Sequence, residues 1–190
     1  MTSYLLAGPA IEPVSLAEAK TYCRIDGEDE DGLVATLVAA ARIHVEGLTA
    51  RALIAQSWRV VLDRWPPGGA VRLPVGPAMS LTGISAYDDA AAEHELDLGQ
   101  FSLEPRGARM LLPRTVAGMP TLRARQGIEI DYVAGYGADA QDVPSDLRQA
   151  VLTLVAYWFE NRDAVVVASG TTVAPRGFDR LVDGYRAVRL

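Results

Sequence analysis

His44 and His94 are the two histidines and Cys23 the one cysteine in 190 residues, so imidazole or thiol chemistry would rest on these three side chains. His94 lies between Glu93 and Glu95, the right residue types for general acid–base work. Neighbours on a strand point to opposite faces, so neither glutamate faces His94 from within its own strand, and it reads as an exposed strand position. His44 falls on the apolar face of a predicted helix and reads as a core or interface histidine. Cys23 reads as a small core residue, and a lone cysteine permits no internal disulfide. Residues 26–31 place five carboxylates around Gly27. An EF-hand loop is longer and alternates its ligands up to a closing glutamate. The run therefore reads as an acidic turn ahead of a helix, with incidental divalent-ion binding as the alternative. One cysteine and two distant histidines make no zinc set. Gly135-Tyr136-Gly137 lacks both the Lys-Ser/Thr pair and the immediate helix of a phosphate loop. Ser57 and Ser169-Gly170 have no nucleophile-elbow context. The residues predict no catalytic group, no metal site and no cofactor, and so no enzyme.

The elements that would hold such groups are legible from the spacing of apolar residues. Ser15 with Glu18 three residues on is a capping box, opening a helix over 16–24. After the acidic turn, Leu33, Leu37, Ala41, His44 and Leu48 recur at helical spacing and predict the buried face of a second helix. From residue 57 the period falls to two. Trp58, Val60 and Leu62 alternate with polar or opposite-facing residues, and so do Ile128, Ile130 and Tyr132. Between them lie short strand candidates at 71–73, 84–87, 96–98, 101–103 and 110–112, separated by Gly and Pro, with Ala90-Ala91-Ala92 as a hairpin tip. Helical spacing returns over 146–162, where Leu147, Val151, Leu154 and Trp158 form one stripe with Val155 and Phe159 beside it. The expectation is an α+β chain: a helical bundle made of an N-terminal hairpin (1–56) and a long helix (144–163), with an inserted antiparallel β lobe (57–143). Residues 164–190 read as a linker and an extended, amphipathic C-terminal tail.

That tail carries Phe178, Leu181, Val182 and Tyr185 at helical spacing, decorated by Arg176, Arg180, Arg186 and Arg189. Trp65 precedes Pro66-Pro67 at a loop tip and reads as an interface aromatic, whereas Trp58, Tyr132, Tyr157 and Trp158 fall on core-facing periods. The net charge is −6 with an isoelectric point near 4.9. That excludes a tight nucleic-acid binder, which needs a basic patch, but suits a wall that DNA slides past. The first seven residues have no basic start and too short an apolar run for a signal peptide, and the apolar stretch 150–159 is too short to span a bilayer. A soluble chain made in the cytoplasm, without a membrane partner, is expected.

Three blocks carry a resemblance. The first is Glu12-Pro-Val-Ser-Leu-Ala-Glu-Ala-Lys20, then Arg24-Ile25-Asp26 and the acidic turn. The second is Arg51-Ala-Leu-Ile-Ala-Gln-Ser-Trp58, then Leu62-Asp63 and Trp65-Pro66. The third is Ile130-Asp-Tyr-Val-Ala-Gly-Tyr-Gly137, Val143-Pro144 and Glu160-Asn161-Arg162. In this order, across residues 11–163, they resemble the head–tail adaptor (connector) proteins of long-tailed phages, a group that includes prophage-encoded adaptors and those of gene transfer agents. The resemblance implies a structural virion protein, synthesised in a bacterial cytoplasm and placed at the head–tail junction. It implies a ring, usually of twelve copies, beneath the portal, with a stopper or tail protein below and DNA passing through without sequence-specific contact. It also implies a helical bundle with an inserted β portion. Because the C-terminal segment of related adaptors packs on the portal, it assigns portal contact to Arg176, Phe178, Arg180, Leu181, Val182, Tyr185, Arg186 and Arg189. Two alternatives remain. One is a stopper or tail-completion protein of the same junction. The other is a soluble ligand-binding β domain, which requires a concave pocket with convergent polar groups.

Overall fold

The capping box forms as read. Ser15 Oγ accepts from the Glu18 N–H at 3.2 Å, and the Glu18 carboxylate accepts from the Ser15 N–H at 2.9 Å. It starts helix α1 (Leu16–Cys23), which ends where Arg24 turns left-handed at φ 55°. Helix α2 (Asp31–Thr49) follows, then α3 (Ser145–Glu160) and the short α4 (Phe178–Val182). The computed structural model that shows them describes residues 1–104, 107–161 and 175–186. The linker reading of 164–174, Ser169-Gly170 and Arg189 lie outside the described residues.

These helices form one unit, Ile11–Ile54 with the described residues from Gly137 on. α1 and α2 both pack on α3, and α4 packs on α3 and α2. The stripe of α3 is as expected: Leu147, Val151, Leu154, Val155 and Trp158 are buried, with Ala150. The stripe of α2 is not. Its buried positions are Val34, Val38, Ala41, Arg42, Val45 and Thr49, one residue along from most of those expected, and Leu48 is 38% exposed. The reason is composition. α2 is apolar on nearly every side, so two stripes satisfy the same spacing, and the packing partners choose between them. By length and composition α2, unlike 150–159, would even suffice to cross a membrane. The choice brings Arg42 inward. Its guanidinium donates to both oxygens of Glu12, at 2.7 and 3.2 Å, and to Glu46 at 2.9 Å. Burial opposes the charge, and the Glu12 hydrogen bond with the Glu46 and Glu12 charges outweighs it, so the guanidinium titrates above its ordinary value.

The β unit gathers Met1–Ala10 and Ala55–Tyr136. Its strands are β1 (Thr2–Ala7), β2 (Gln56–Leu62), β3 (Ala70–Arg72), β4 (Ala78–Tyr87), β5 (Glu93–Glu95), β6 (Ser102–Leu103), β7 (Arg109–Leu111) and β8 (Ile128–Ala134). An antiparallel five-stranded sheet runs β1-β2-β8-β4-β5, and a three-stranded sheet runs β3-β7-β6. Alternation puts Val60, Leu62, Ile128, Ile130, Tyr132, Ile84 and Ala86 on a buried face. Tyr132 is fully buried; its hydroxyl donates to the Val75 carbonyl at 3.1 Å and accepts from the Val75 N–H at 3.3 Å. Burial raises its pKa to about 12. The opposite face is polar. Arg59 forks onto Asp131 with two 2.6 Å hydrogen bonds and reaches Glu129 at 2.6 Å.

Three expectations need correcting. β1 was not anticipated, and Met1–Ala10 belongs with the β unit instead of with the helical hairpin. Residues from Gly137 fall in the helical unit, so the β portion ends before 143. The strand expected at 96–98 lies at Glu93–Glu95, and Leu98–Gln100 is a helical turn capped by Asp97, whose carboxylate accepts from the Gly99 N–H at 2.9 Å. An aspartate that can cap a turn outcompetes a short apolar alternation. For the helical core the expected outcome is specific: Leu154→Asp, a charge without a partner in the α3 stripe, lowers the unfolding free energy by about 3 kcal/mol or more in urea titration.

Candidate interaction surfaces

The candidate chemical groups are each engaged in local structure. His94 bonds Asp88 at 2.9 Å, and Asp88 also accepts from the Ala90 and Ala92 N–H groups at the β4–β5 tip. The His94 hydrogen bond, then the Ala92 N–H, hold the Asp88 carboxyl below its ordinary value. Sequence reading looked to Glu93 and Glu95 and missed Asp88, which reaches His94 only through the hairpin turn. His44 is half-buried, its ring edge-on to Trp158 at 5.9 Å and tilted to Phe178 at 6.0 Å, and burial lowers its pKa from 6.5. Cys23 is half-buried, and burial and then the Glu160 charge raise its thiol pKa. In the acidic turn, Asp31 is taken by Lys20, which also donates to the Gly27 carbonyl. Among the described residues no three His, Cys, Asp or Glu side chains group as a metal site. Gly137 turns beside Asp142, whose carboxylate oxygen would lie 2.0 Å from any Cβ there. A glycine is required, and the adjacent carboxylate repels a phosphate.

The tail residues divide. Phe178 and Val182 are fully buried in the helical unit, so the apolar side expected to meet a partner is packed inside the chain itself. Leu181 and Tyr185 are half-buried, and Arg51 donates to the Tyr185 carbonyl at 3.1 Å. Arg176, Arg180 and Arg186 are exposed, and Arg186 is paired with Asp179 at 2.5 Å and Asp183 at 2.9 Å. The outward face of α4 is therefore mixed in charge.

Two further surfaces stand out. Trp65 is half-buried against Phe101 at 5.8 Å and lines a hollow of about 710 Å³ with Pro66, Pro67, Leu112, Pro113 and Met119. Its indole N–H has no acceptor among the described residues. Arg114 is the one charged residue of that lining, so the hollow offers no convergent polar set of the kind a ligand-binding domain needs. On α2, the exposed positions are Gly32, Ala35, Thr36, Ala40, Ile43, Gly47 and Leu48, and none is charged. Ile43 is 60% exposed. The two charges within that helix beyond its first residue, Arg42 and Glu46, are bound to each other.

The family model for "Head completion protein" matches residues 12–177. The chain belongs to the head completion protein family. Solved structures agree on the setting. The chain is 27% identical, with TM-score 0.81, to a chain of the neck of an empty GTA particle computed with C6 symmetry. It is 28% identical, at 0.80, to a chain of the virion of a native gene transfer agent (GTA) particle. It is 28% identical, at 0.78, to a chain of the neck of a native GTA particle computed with C12 symmetry. Each match covers 100% of this chain and 97% of the other. No curated protein matches. The family and these neighbours make the chain a structural virion protein of the head–tail junction.

His44 gives this subsection its prediction. The unfolded chain binds a proton near 6.5 and the folded chain only below that, so below 6.5 the unfolded state holds more protons and stability falls as pH falls. The melting temperature should drop between about pH 7.5 and about pH 5.5, and the drop should shrink in His44→Gln. An identical drop in both proteins would show that His44 is not the group responsible.

Proposed function

We propose that this protein is a head–tail adaptor, a ring of twelve copies that joins the portal of a filled capsid to the stopper or tail and lets DNA pass. The observation that carries the reading is the full-length likeness to neck chains of gene transfer agent particles, one of them computed with C12 symmetry. A ring of twelve also obeys the C6 symmetry of the other neck. The role is structural, with no catalytic step.

The chemistry of the chain supports this. A ring is one heterologous contact repeated to closure. Copies that each carry −6 repel one another unless they meet on neutral or complementary surfaces. The charge-free outer face of α2 is such a surface, and Ile43 is its apolar anchor. An acidic chain has no net attraction for phosphate, so DNA is not gripped in passing. For the portal, Arg176 and Arg180 are, among the described residues, the exposed tail cations that remain for acidic partner groups. Phe178 and Val182 would join that contact only by leaving the helical unit, at the cost of uncovering it.

The test is electron microscopy of this protein mixed with a portal protein from the same source. A ring on the portal's narrow end is expected. A folded monomer that ignores the portal would point instead to a stopper. Ile43→Glu should leave unfolding within about 0.5 kcal/mol of the parent, as an exposed substitution does, while preventing ring closure. Rings of normal symmetry from that variant would remove α2 from the subunit contact.

A further inference from the structure

The charge of this chain is unevenly spread. Residues 105–128 hold five arginines and no lysine, aspartate or glutamate, so they carry +5 and the rest of the chain −11. Of the five, Arg106 lies outside the described residues. Arg109 pairs with Glu104 at 2.9 Å. Arg123 donates to the Gln126 carbonyl at 2.6 and 2.9 Å and covers the Tyr87 ring at 4.3 Å. Arg114 and Arg125 are left over, and the fold brings Arg64 to them. The Gln126 N–H donates to Asp63 at 2.7 Å, so Arg125 and Arg64 flank one hydrogen bond between their loops. Arg114 lines the same hollow as Trp65, the neighbour of Arg64. Arg64, Arg114 and Arg125 are exposed, and among the described residues none of them makes an ion pair. Three free guanidiniums on adjoining loops of the β unit make a cationic surface on an acidic protein.

The same chain holds the matching anion. Many of its acids are engaged, as Glu129 and Asp131 are by Arg59 and Asp179 and Asp183 are by Arg186. In the acidic turn Lys20 takes Asp31, but Asp26, Glu28 and Asp29 are exposed and, among the described residues, make no ion pair. Among the described residues this is the one place where three such carboxylates fall within four positions. Residues 20–31 still carry −3 when Lys20 and Arg24 are counted. The stretches outside the described residues add a single acid, Asp163. The turn also runs straight into α2, whose exposed Gly32, Ala35 and Thr36 begin the neutral outer face.

We infer that the acidic turn of one copy docks on the Arg64, Arg114 and Arg125 loops of the next, as the two unlike halves of the contact that closes the ring. The pairing rests on the ring reading above and gives that ring its direction. Three carboxylates meet three guanidiniums in charge-assisted contacts beside the neutral face of α2. Every copy has one patch of each kind, so a closed ring uses all of them. DNA is the competing polyanion. Guanidiniums free to meet it would hold it through counterion release, and the carboxylates of the turn would be left without a counterpart.

Charge exchange tests the pairing, with rings on a portal protein from the same source counted by electron microscopy. One variant carries Arg64→Glu, Arg114→Glu and Arg125→Glu, the other Asp26→Lys, Glu28→Lys and Asp29→Lys. Each alone sets like charges face to face and should need about tenfold more protein than the parent, or beyond, to cap the portal. Mixed in equal amounts they should assemble at the parent's concentration, as rings in which the two variants alternate. A chain carrying all six substitutions should do the same. No ring from the parent would defeat the ring reading itself. Normal rings from either variant alone, or folded variants that stay unassembled when mixed, would overturn the pairing and leave the ring reading standing. Normal rings from the arginine variant in particles that retain less DNA would overturn it too, and give the loops to DNA. Should a reversed set lower the melting temperature, Arg64→Gln with Arg114→Gln and Arg125→Gln takes its place. Assembly of that variant should be weaker and lose the decline with rising salt expected of the parent. A salt dependence equal to the parent's would overturn the pairing.

Discussion

The helical unit is organised around a buried cation. Arg42 on α2 is held by Glu12 and Glu46, and Glu46 in turn accepts the Leu53 N–H at 2.9 Å. Glu12 stands where the chain enters this unit and Leu53 where it leaves. A guanidinium nine-tenths out of water is tolerable only with carboxylates fixed beside it, so both crossings of the chain are tied to one turn of α2. The third helix is attached to the same stretch, since Arg148 donates to the Pro13 carbonyl at 3.1 Å and pairs with the capping-box Glu18. Because Arg42 faces in, the valine stripe faces in with it, and the small, neutral residues of α2 are left outside. The neutral outer surface of α2 is thus a consequence of where one charge was buried.

The polar network of the β unit has a different effect. Arg59, Asp131 and Glu129 link adjacent strands β2 and β8 on the face away from the buried alternation, and Tyr87 donates to Glu129 at 3.2 Å. The strongest influence on the Arg59 charge is its hydrogen bond to Asp131, which raises its pKa. Cross-strand pairs of this kind fix register, because a slip of one residue would part every pair and turn the core face to water. In the proposed ring, a sheet that cannot slip would present the same edges in every copy.

Much of this fold is legible in the residues. The capping box, the α3 stripe and the alternation of β2 and β8 follow from local spacing, and the structure retains them. Three features were not legible. β1 has no buried face, so no period marks it; it exists because β2 offers a partner. The Asp97 turn displaced a strand through a hydrogen bond that hydropathy does not register. Asp88 meets His94 through a hairpin tip, a contact set by the turn and not by adjacency.

The amino-acid sequence by itself determined helices α1 to α3 and the alternating strands β2 and β8, that the chain is acidic, and, through the order of its motifs, the kind of assembly to which it belongs. Local spacing and composition are sufficient for those. Tertiary structure alone decided which of two equivalent stripes of α2 is buried, that Phe178 and Val182 pack inward, and that β1 is an open edge. Those outcomes depend on which surfaces meet, and the free energy of burial belongs to the pair of surfaces and not to either sequence stretch alone.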